Sequence, residues 1–338
     1  MNYNEFLIQI QKEIAAQLPE QYSDADISIH QVVKNNNTER MGLVIHRPGE
    51  STSPQLYLDT FFEEHQQGKE VEEIARAIVD SYVKHQNFEI SNVPELVSDY
   101  EKVQGLLQLQ LINKEFNSEK LEHTPHKDLE NTDLTAVLRI HLPTQEQGAA
   151  TILVSDTLFS RWNKPMDEVY PLALQNTQEA NPAKIESLYS IMMSMMSGDS
   201  YQGAEVKDFQ MQPYEQYVLR NESGMNGATI LLYPDIMEQL AQGANANLFI
   251  LPSSIHECIL MQDTGEMNAK ELQAMVMSVN QTEVSPEECL SNEVYYYDKN
   301  EHCLSMATNR EESAELKAHF SQIGDFEMEQ SLDMEREA

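Results

Sequence analysis

The sequence predicts an α+β fold, with mostly antiparallel sheets packed by helices and built from repeated hairpin-plus-helix segments. Three observations predict it. Short runs alternate apolar with polar residues, as in DISIHQVVK (26–34), while others repeat apolar residues at helical spacing, as in VEEIARAIVDSYVKH (71–85). Turn residues such as Asn35-Asn36-Asn37 and Lys299-Asn300 join neighbouring alternating runs closely enough for hairpins. One layout, a short apolar strand followed by Asp and a short helix, recurs three times: LYLDTFFEEH from Leu56, LVSDTLFSRW from Leu153 and LLYPDIMEQL from Leu231.

The elements follow in order. In the first 18 residues Phe6, Leu7, Ile10, Ile14 and Leu18 form one helical stripe. No basic stretch precedes it and Glu5 and Glu13 interrupt it, so it does not read as a secretory signal. The strands DISIHQVVK and MGLVIHR follow, then a break at Pro48-Gly49 and the short strand QLYLD. Asp59 or Thr60 caps the helix FFEEHQQ, with Glu63 completing a capping-box pattern, and Gly68 ends it before the amphipathic VEEIARAIVDSYVKH. From Asn92-Val93-Pro94 onward, LLQLQLI (106–112) is a strand, 113–121 a short helix, and TDLTAVLRIHL a strand. A turn at 144–148 leads to AATILVS, after which Asp156 caps TLFSRW. DEVYPLALQNT is helical, with Pro171 fitting only near its first turn, and KIESLYSIMMSMM is helical up to Gly198. From Gln216, YVLRNES and GATILLY pair as strands across Gly224 and Gly227, and PDIMEQLA is a helix ended by Gly243. NLFILPSS and HECILMQ are strands interrupted by Pro252, AKELQAMVMSVNQ is a helix, and EVYYYD pairs with HCLSMA. The expected segments are 1–91, 92–215 and 216–309, followed by a tail, 310–338, whose nine acids, three bases and few apolar anchors predict disorder.

In the recurring layout, Asp59, Asp156 and Asp235 are expected to receive orphan N–H groups at the helix starts. The spacing between them changes from 97 to 79 residues, so this is no solenoid period.

Composition narrows function by exclusion. The chain has 338 residues, with 22 Lys+Arg against 56 Asp+Glu and a formal charge of −34. That balance argues against direct nucleic-acid binding and against docking on an anionic membrane surface. No apolar run reaches the roughly 18 residues that a membrane span needs. Cys258, Cys289 and Cys303 are odd in number and lack CxxC spacing, so reduced thiols in a cytoplasmic protein are expected. Of the 17 Met residues, the MMSMM run (192–196) is expected to serve core or helix packing, although Met also serves adaptable binding surfaces.

The most unusual stretch is ILPSSIHECIL (250–260). Ser254 and His256 are the candidate catalytic residues, a nucleophile and its base, because residues two apart on a strand share a face. Glu257 falls on the opposite face, so a triad requires a distant carboxylate, and there is no GxSxG elbow. The structural alternative is a Pro-Ser-Ser turn with His256 as a polar partner. Cys258, beside Ile259 and Leu260, reads as a buried small residue. His123 and His126 in HTPHKD have acids nearby, but Thr124-Pro125 breaks helical spacing, so a polar loop is expected rather than a metal site. Glu63-Glu64, Glu72-Glu73 and Glu287-Glu288 read as solvated helix faces, and Trp162 and Tyr295-Tyr296-Tyr297 as packing residues. With no glycine-rich phosphate loop, no cofactor is expected.

Several segments resemble an uncharacterised, domain-of-unknown-function family abundant in anaerobic gut Firmicutes. They are NYNEFL, YLDTFFEEHQQGKEVEEIA, ATILVSDTLFSRW, GATILLYPDIMEQLA, NQTEVSPEECLSNEVYYYD and above all ILPSSIHECIL. They run in the family's order up to about Lys299. The resemblance implies an intracellular bacterial protein with no assigned activity and no established catalytic residues. The residues themselves point to a non-enzymatic binding protein whose partner is a protein, basic if charge guides the encounter. The alternatives are a hydrolase using Ser254 and His256, and an acidic mimic of nucleic acid.

Overall fold

The computed structural model describes residues 1–48, 55–84, 93–142, 150–198, 203–207 and 209–310. The predicted turn at 144–148 and the acidic tail after Arg310 lie outside them. The fold is α+β with antiparallel sheets. It divides into two units, the first comprising Met1–Gln108, Phe116–Pro125 and Leu138–Asn176, the second Leu109–Glu115, His126–Val137 and Thr177–Ala338.

In the first unit, helix α1 (Tyr3–Gln17) opens with a capping box: the Asn2 side chain accepts the Glu5 N–H, and the Asn2 N–H donates to the Glu5 carboxylate. It buries Phe6, Ile10 and Ile14, one per turn. Strands β1 (Asp26–Val33), β2 (Glu39–His46) and β3 (Gln55–Tyr57) form an antiparallel sheet in that order. Asn36 and Asn37 turn the first hairpin at φ 57° and 52°, a left-handed region that Asn tolerates. Helices α2 (Asp59–Gln66) and α3 (Val71–Lys84) follow, and α3 puts Ile74, Ala75, Ile78 and Tyr82 into the same core as α1. Helices α4 (Val93–Ser98) and α5 (Tyr100–Val103) come next. Trp162 donates its indole N–H to the Val97 carbonyl at 2.8 Å and sits edge-on to Phe159, a packing role as expected.

Strand β4 (Leu107–Asn113) leads into the second unit, helix α6 (Ser118–Leu121) belongs to the first, and β5 (His126–Asp128) to the second. Strand β6 (Leu134–Leu142) belongs to both: its start pairs with β5 and its end with β7 (Ala150–Leu153). Helix α7 (Asp156–Trp162) precedes α8 (Met166–Ala180). Pro171 lies one turn inside α8, beyond the first turn, where it removes one backbone bond; Val169 and Ala173, both fully buried, anchor the helix on either side.

The second unit is built on a seven-stranded antiparallel sheet. Its members are β8 (Ala183–Ser187), β9 (Ala204–Glu205), β10 (Tyr217–Asn221), β11 (Leu248–Ser254), β12 (Glu257–Gln262), β13 (Tyr295–Asp298) and β14 (Cys303–Met306), in the order β14-β13-β11-β12-β10-β8-β9. Helices α9 (Leu188–Ser197), α10 (Ile236–Ala244) and α11 (Ala269–Thr282) complete it. The buried face of α11, Ala269, Leu272 and Val276, packs with Phe249, Leu251 and Tyr296.

Several sequence expectations are corrected here. None of the three aspartates caps its helix. Asp59 is the first residue of α2, Ser155 rather than Asp156 accepts an N–H of α7, and Asp235 at φ 64° makes no capping bond to α10. GATILL (227–232) is a buried 3-10 turn, not a strand. KIES, read as helix, is a sheet strand: β8 pairs with β10 on one side and the edge strand β9 on the other, and α9 starts only after Ser187, whose hydroxyl accepts the Ser190 N–H.

A carboxylate ties the second unit together. Asp133 accepts hydrogen bonds from the Asn113 amide (2.6 Å), the Ser291 hydroxyl (2.7 Å) and the Tyr295 hydroxyl (2.6 Å). All three donors are buried. Near the other end of β13, Asp298 accepts the N–H groups of Asn300 (2.8 Å) and Glu301 (3.1 Å) and pairs with Arg310. Burial alone would raise the Asp298 carboxyl, but these donors outweigh it and hold it below the ordinary carboxylate value.

Two stability measurements test this account. Asp133→Ala strands three buried donors and should lower the urea unfolding free energy by roughly 2–4 kcal/mol, whereas the exposed Glu130→Ala should change it by less than about 0.5 kcal/mol. Asp298 has a depressed folded pKa. Its stabilisation is therefore complete above the unfolded carboxylate pKa and is lost as pH falls through the folded value. The wild-type advantage over Asp298→Asn should shrink steadily across that acid range, as measured by urea melts at stepped pH.

Candidate functional site

The stretch ILPSSIHECIL forms the hairpin of β11 and β12, with a register irregularity between Pro252 and Ser254. Ile255 and His256 are its two turn residues, so His256 lies in the turn rather than on the strand expected to start there. Two other segments grip this turn. Its Ile255 carbonyl accepts the Ala228 N–H at 3.2 Å, and its Ile255 N–H donates to the Glu288 carbonyl at 2.8 Å. A Cβ on Gly227 would stand 2.1 Å from the His256 carbonyl oxygen, so only glycine lets the 3-10 turn approach so closely.

The side chains follow the same plan. The Ser254 hydroxyl accepts the His256 backbone N–H at 3.0 Å, a local Ser turn. The His256 Nδ1 accepts the Asn226 N–H at 3.1 Å, which places the ring proton on Nε2. Nε2 faces the Glu288 carboxylate at 3.6 Å. The structure thus brings Ser254, His256 and an outside carboxylate into one neighbourhood. It joins Ser254 to the backbone of His256, and it commits Nδ1, the nitrogen opposite the carboxylate, to a backbone donor. Glu288 was read from the sequence as part of a solvated pair. Nothing local signalled its place beside the imidazole, because the contact spans the whole of α11.

The thiols offer little nucleophilic power. Burial, reinforced by Glu257, pushes Cys258 up to about 12, and burial also raises Cys289 and Cys303. In the first unit, His123 is exposed and its carbonyl accepts the Asp156 N–H. In the second, His126 is an exposed residue of β5. Among the described residues, no group of three or more His, Cys, Asp or Glu side chains converges as metal ligands would. No helix among them is long and apolar enough to cross a membrane.

Helix α9 departs most from expectation. The core role foreseen for the MMSMM run does not hold. Leu188, Ile191 and Ser194 are half-buried, while Tyr189, Met192, Met193, Met195 and Met196 are between 47% and 82% exposed. The helix carries no charged residue at all, so its sequence lacked the polar face that ordinarily shows which side is wet. An acid stands beside its start: the Ser187 hydroxyl donates to Glu215.

A family model described as a family of unknown function (DUF5688) matches residues 3–299. No curated protein matches the chain, and no solved structure does.

The two candidate residues can be separated from a catalytic role by comparing stability with turnover. Ser254→Ala should lower stability by about 1 kcal/mol, and His256→Ala, which strands the Asn226 N–H, by roughly 1–3 kcal/mol. Any slow hydrolysis of a p-nitrophenyl ester by the wild type should persist in both. A loss of hydrolysis at unchanged stability would mark them as catalytic.

Proposed function

We propose that this chain, which belongs to DUF5688, a family of unknown function, is a non-enzymatic binding protein whose α9 face accepts the apolar side of a basic amphipathic segment of a partner protein. The observation that carries the reading is the row of four methionines and Tyr189 left in solvent on a helix without charges. Contiguous apolar exposure of this kind disfavours a free surface in water and suits a protein contact. Met is unbranched and polarisable, so such a face adapts to several apolar partners. The occupant's charge follows from complementarity. A chain of net charge −34, with Glu215 beside the start of α9, attracts a basic segment and repels an acidic one.

The bonding of Ser254 and His256 supports the same reading against a hydrolase. A general base needs a nitrogen within reach of the nucleophile's proton, and here Nδ1 holds the Asn226 N–H. The raised thiols suit the cytoplasm, where they persist reduced.

Calorimetric titration with a Leu/Lys peptide patterned for one apolar helical face tests the proposal. The patterned peptide should bind at least about tenfold tighter than its scrambled isomer, and the affinity should fall with added salt. The double variant Met193→Ser, Met196→Ser, which leaves charge unchanged, should remove that difference. Equal binding of both peptides, or undiminished binding by the variant, would overturn it. So would a dimer in sedimentation that the variant dissolves, since that would assign the face to a second copy.

A further inference from the structure

Strand β1 forms one border of the first unit's sheet, whose order is β1-β2-β3. Its ladder to β2 runs unbroken from Asp26↔His46 to Val33↔Glu39. The Lys34 N–H donates to the Thr38 carbonyl at 2.8 Å, so the even-numbered residues of β1 turn their N–H and C=O groups toward β2. Antiparallel alternation turns those of the odd-numbered residues outward. The Gln11 amide of α1 agrees with this, since it donates to the Ile27 carbonyl at 2.7 Å. Beyond Ile27, the outward backbone groups of Ile29, Gln31 and Val33 meet no partner among the described residues.

Proteins ordinarily guard such an edge with charge, proline, a bulge or a covering element. From Ile29 to Val33 there is no proline, glycine, acid, lysine or break in register. The nearest lysine is turned away across the sheet: the Lys34 ammonium donates to the Tyr57 hydroxyl on β3 at 2.9 Å. Gln31 is exposed, and Val33 is 53% exposed. Ile8, one turn before Gln11 on the same side of α1, is 58% exposed. In a chain with 56 acids, the run 27–38 contains none.

We propose that β1 pairs antiparallel with β1 of a second copy of this chain, about a two-fold axis at Gln31, so that two three-stranded sheets become one continuous sheet. The occupant follows from the register. Ile29 and Val33 stand at equal distances on either side of Gln31, and both are apolar. A reversed copy of the strand therefore sets Ile29 against the partner's Val33 on one face and His30 against the partner's Val32 on the other. The three facing pairs exchange about six hydrogen bonds through the outward groups. No acid lies within the paired run, so the self-repulsion of a chain of charge −34 is not concentrated at the contact. The two-fold arrangement uses the same edge on both copies, so association closes at a dimer.

Sedimentation equilibrium of the full chain tests the proposal. The average mass should rise from one chain toward two as concentration passes through roughly 1–100 μM. Raising salt from about 0.01 M to about 0.15 M shortens the screening length from about 30 Å to about 8 Å, which should tighten the dimer at least about threefold by weakening repulsion between two acidic chains. Val33→Lys guards the edge with charge, and Gln31→Pro removes an N–H that no bond within the chain uses. Each, checked for an unchanged circular dichroism spectrum, should weaken association at least about tenfold. The double variant Met193→Ser, Met196→Ser should leave the dimer intact, which separates this contact from the α9 face. Two cysteine variants test the axis. The two copies of position 31 meet as a hydrogen-bonded pair about 5.5 Å apart between Cα atoms, within disulfide reach, so oxidised glutathione should link Gln31→Cys into covalent dimers. The two copies of position 33 stand roughly 13 Å apart along the strands, so Val33→Cys should link no more than the wild type. A wild type that remains one chain at about 100 μM and physiological salt, or a dimer that neither edge variant weakens, would overturn the proposal. So would equal linking of the two cysteine variants, or an edge that takes up an extended peptide of another sequence but no second copy.

Discussion

The second unit depends on one constraint, the half-buried carboxylate of Asp133 and the buried donors aimed at it. A charge partly withdrawn from water is best tolerated when its lone pairs are met by donors. Here Asn113, Ser291 and Tyr295 meet them, from segments far apart in sequence. Satisfying that single group fixes several things together. It holds the loop before β6 against β13, and the Met306 N–H donating to the Asn131 carbonyl extends the attachment to β14. It sets the depth of Tyr295, whose phenol burial and then Asp133 keep protonated and therefore donating. Tyr295 pairs in register with Ile250 on β11, so the knot reaches the strand that carries the PSSIHE turn. The apolar core alone would tolerate a slipped register more readily, because Tyr295-Tyr296-Tyr297 presents aromatic residues to both faces.

The PSSIHE turn shows how residues that look chemical also hold a turn together. A half-buried hairpin tip presents backbone donors and acceptors that need partners. Ser254 serves one, the imidazole of His256 another, and Gly227 supplies the space for both by carrying no Cβ. Serine and histidine are the side chains that a nucleophilic site would use, and also the compact hydrogen-bonding groups that a crowded turn needs. Their identity alone does not separate the two uses. The partner of each nitrogen does.

Much of the fold was legible because periodicity reports it directly. The alternation in 26–34, the stripe of Phe6, Ile10 and Ile14, and the pattern of α3 and α11 appear in the structure as read, and so does the α+β class. The errors share a physical origin. Ala228, Ile230 and Leu231 are apolar because GATILL is buried on all sides, and total burial erases the period that distinguishes a strand from a 3-10 turn. In KIES the sheet contacts of β8 override a local pattern that continues smoothly into α9. The aspartates after the strands suggested caps, but which residue caps a helix depends on the backbone angle just before it. A shift of one residue gave that role to Ser155. The candidate residues were legible as an unusual stretch. Their partners, Asn226 and Glu288, were not, since each arrives from a separate segment.

The net charge of −34 invites the conclusion that anions of every kind are repelled. That argument is framed for a polyanion, which samples the whole surface and must release counterions along its length. It does not hold for a small ion. At physiological salt the field of a distant carboxylate is screened over about 8 Å, so a phosphate-sized solute responds to the few charges nearest it. Around Lys120 those are Arg139 and Lys34, which add to burial in lowering its amine. The global charge and the local one therefore differ, and the sequence total displays only the first.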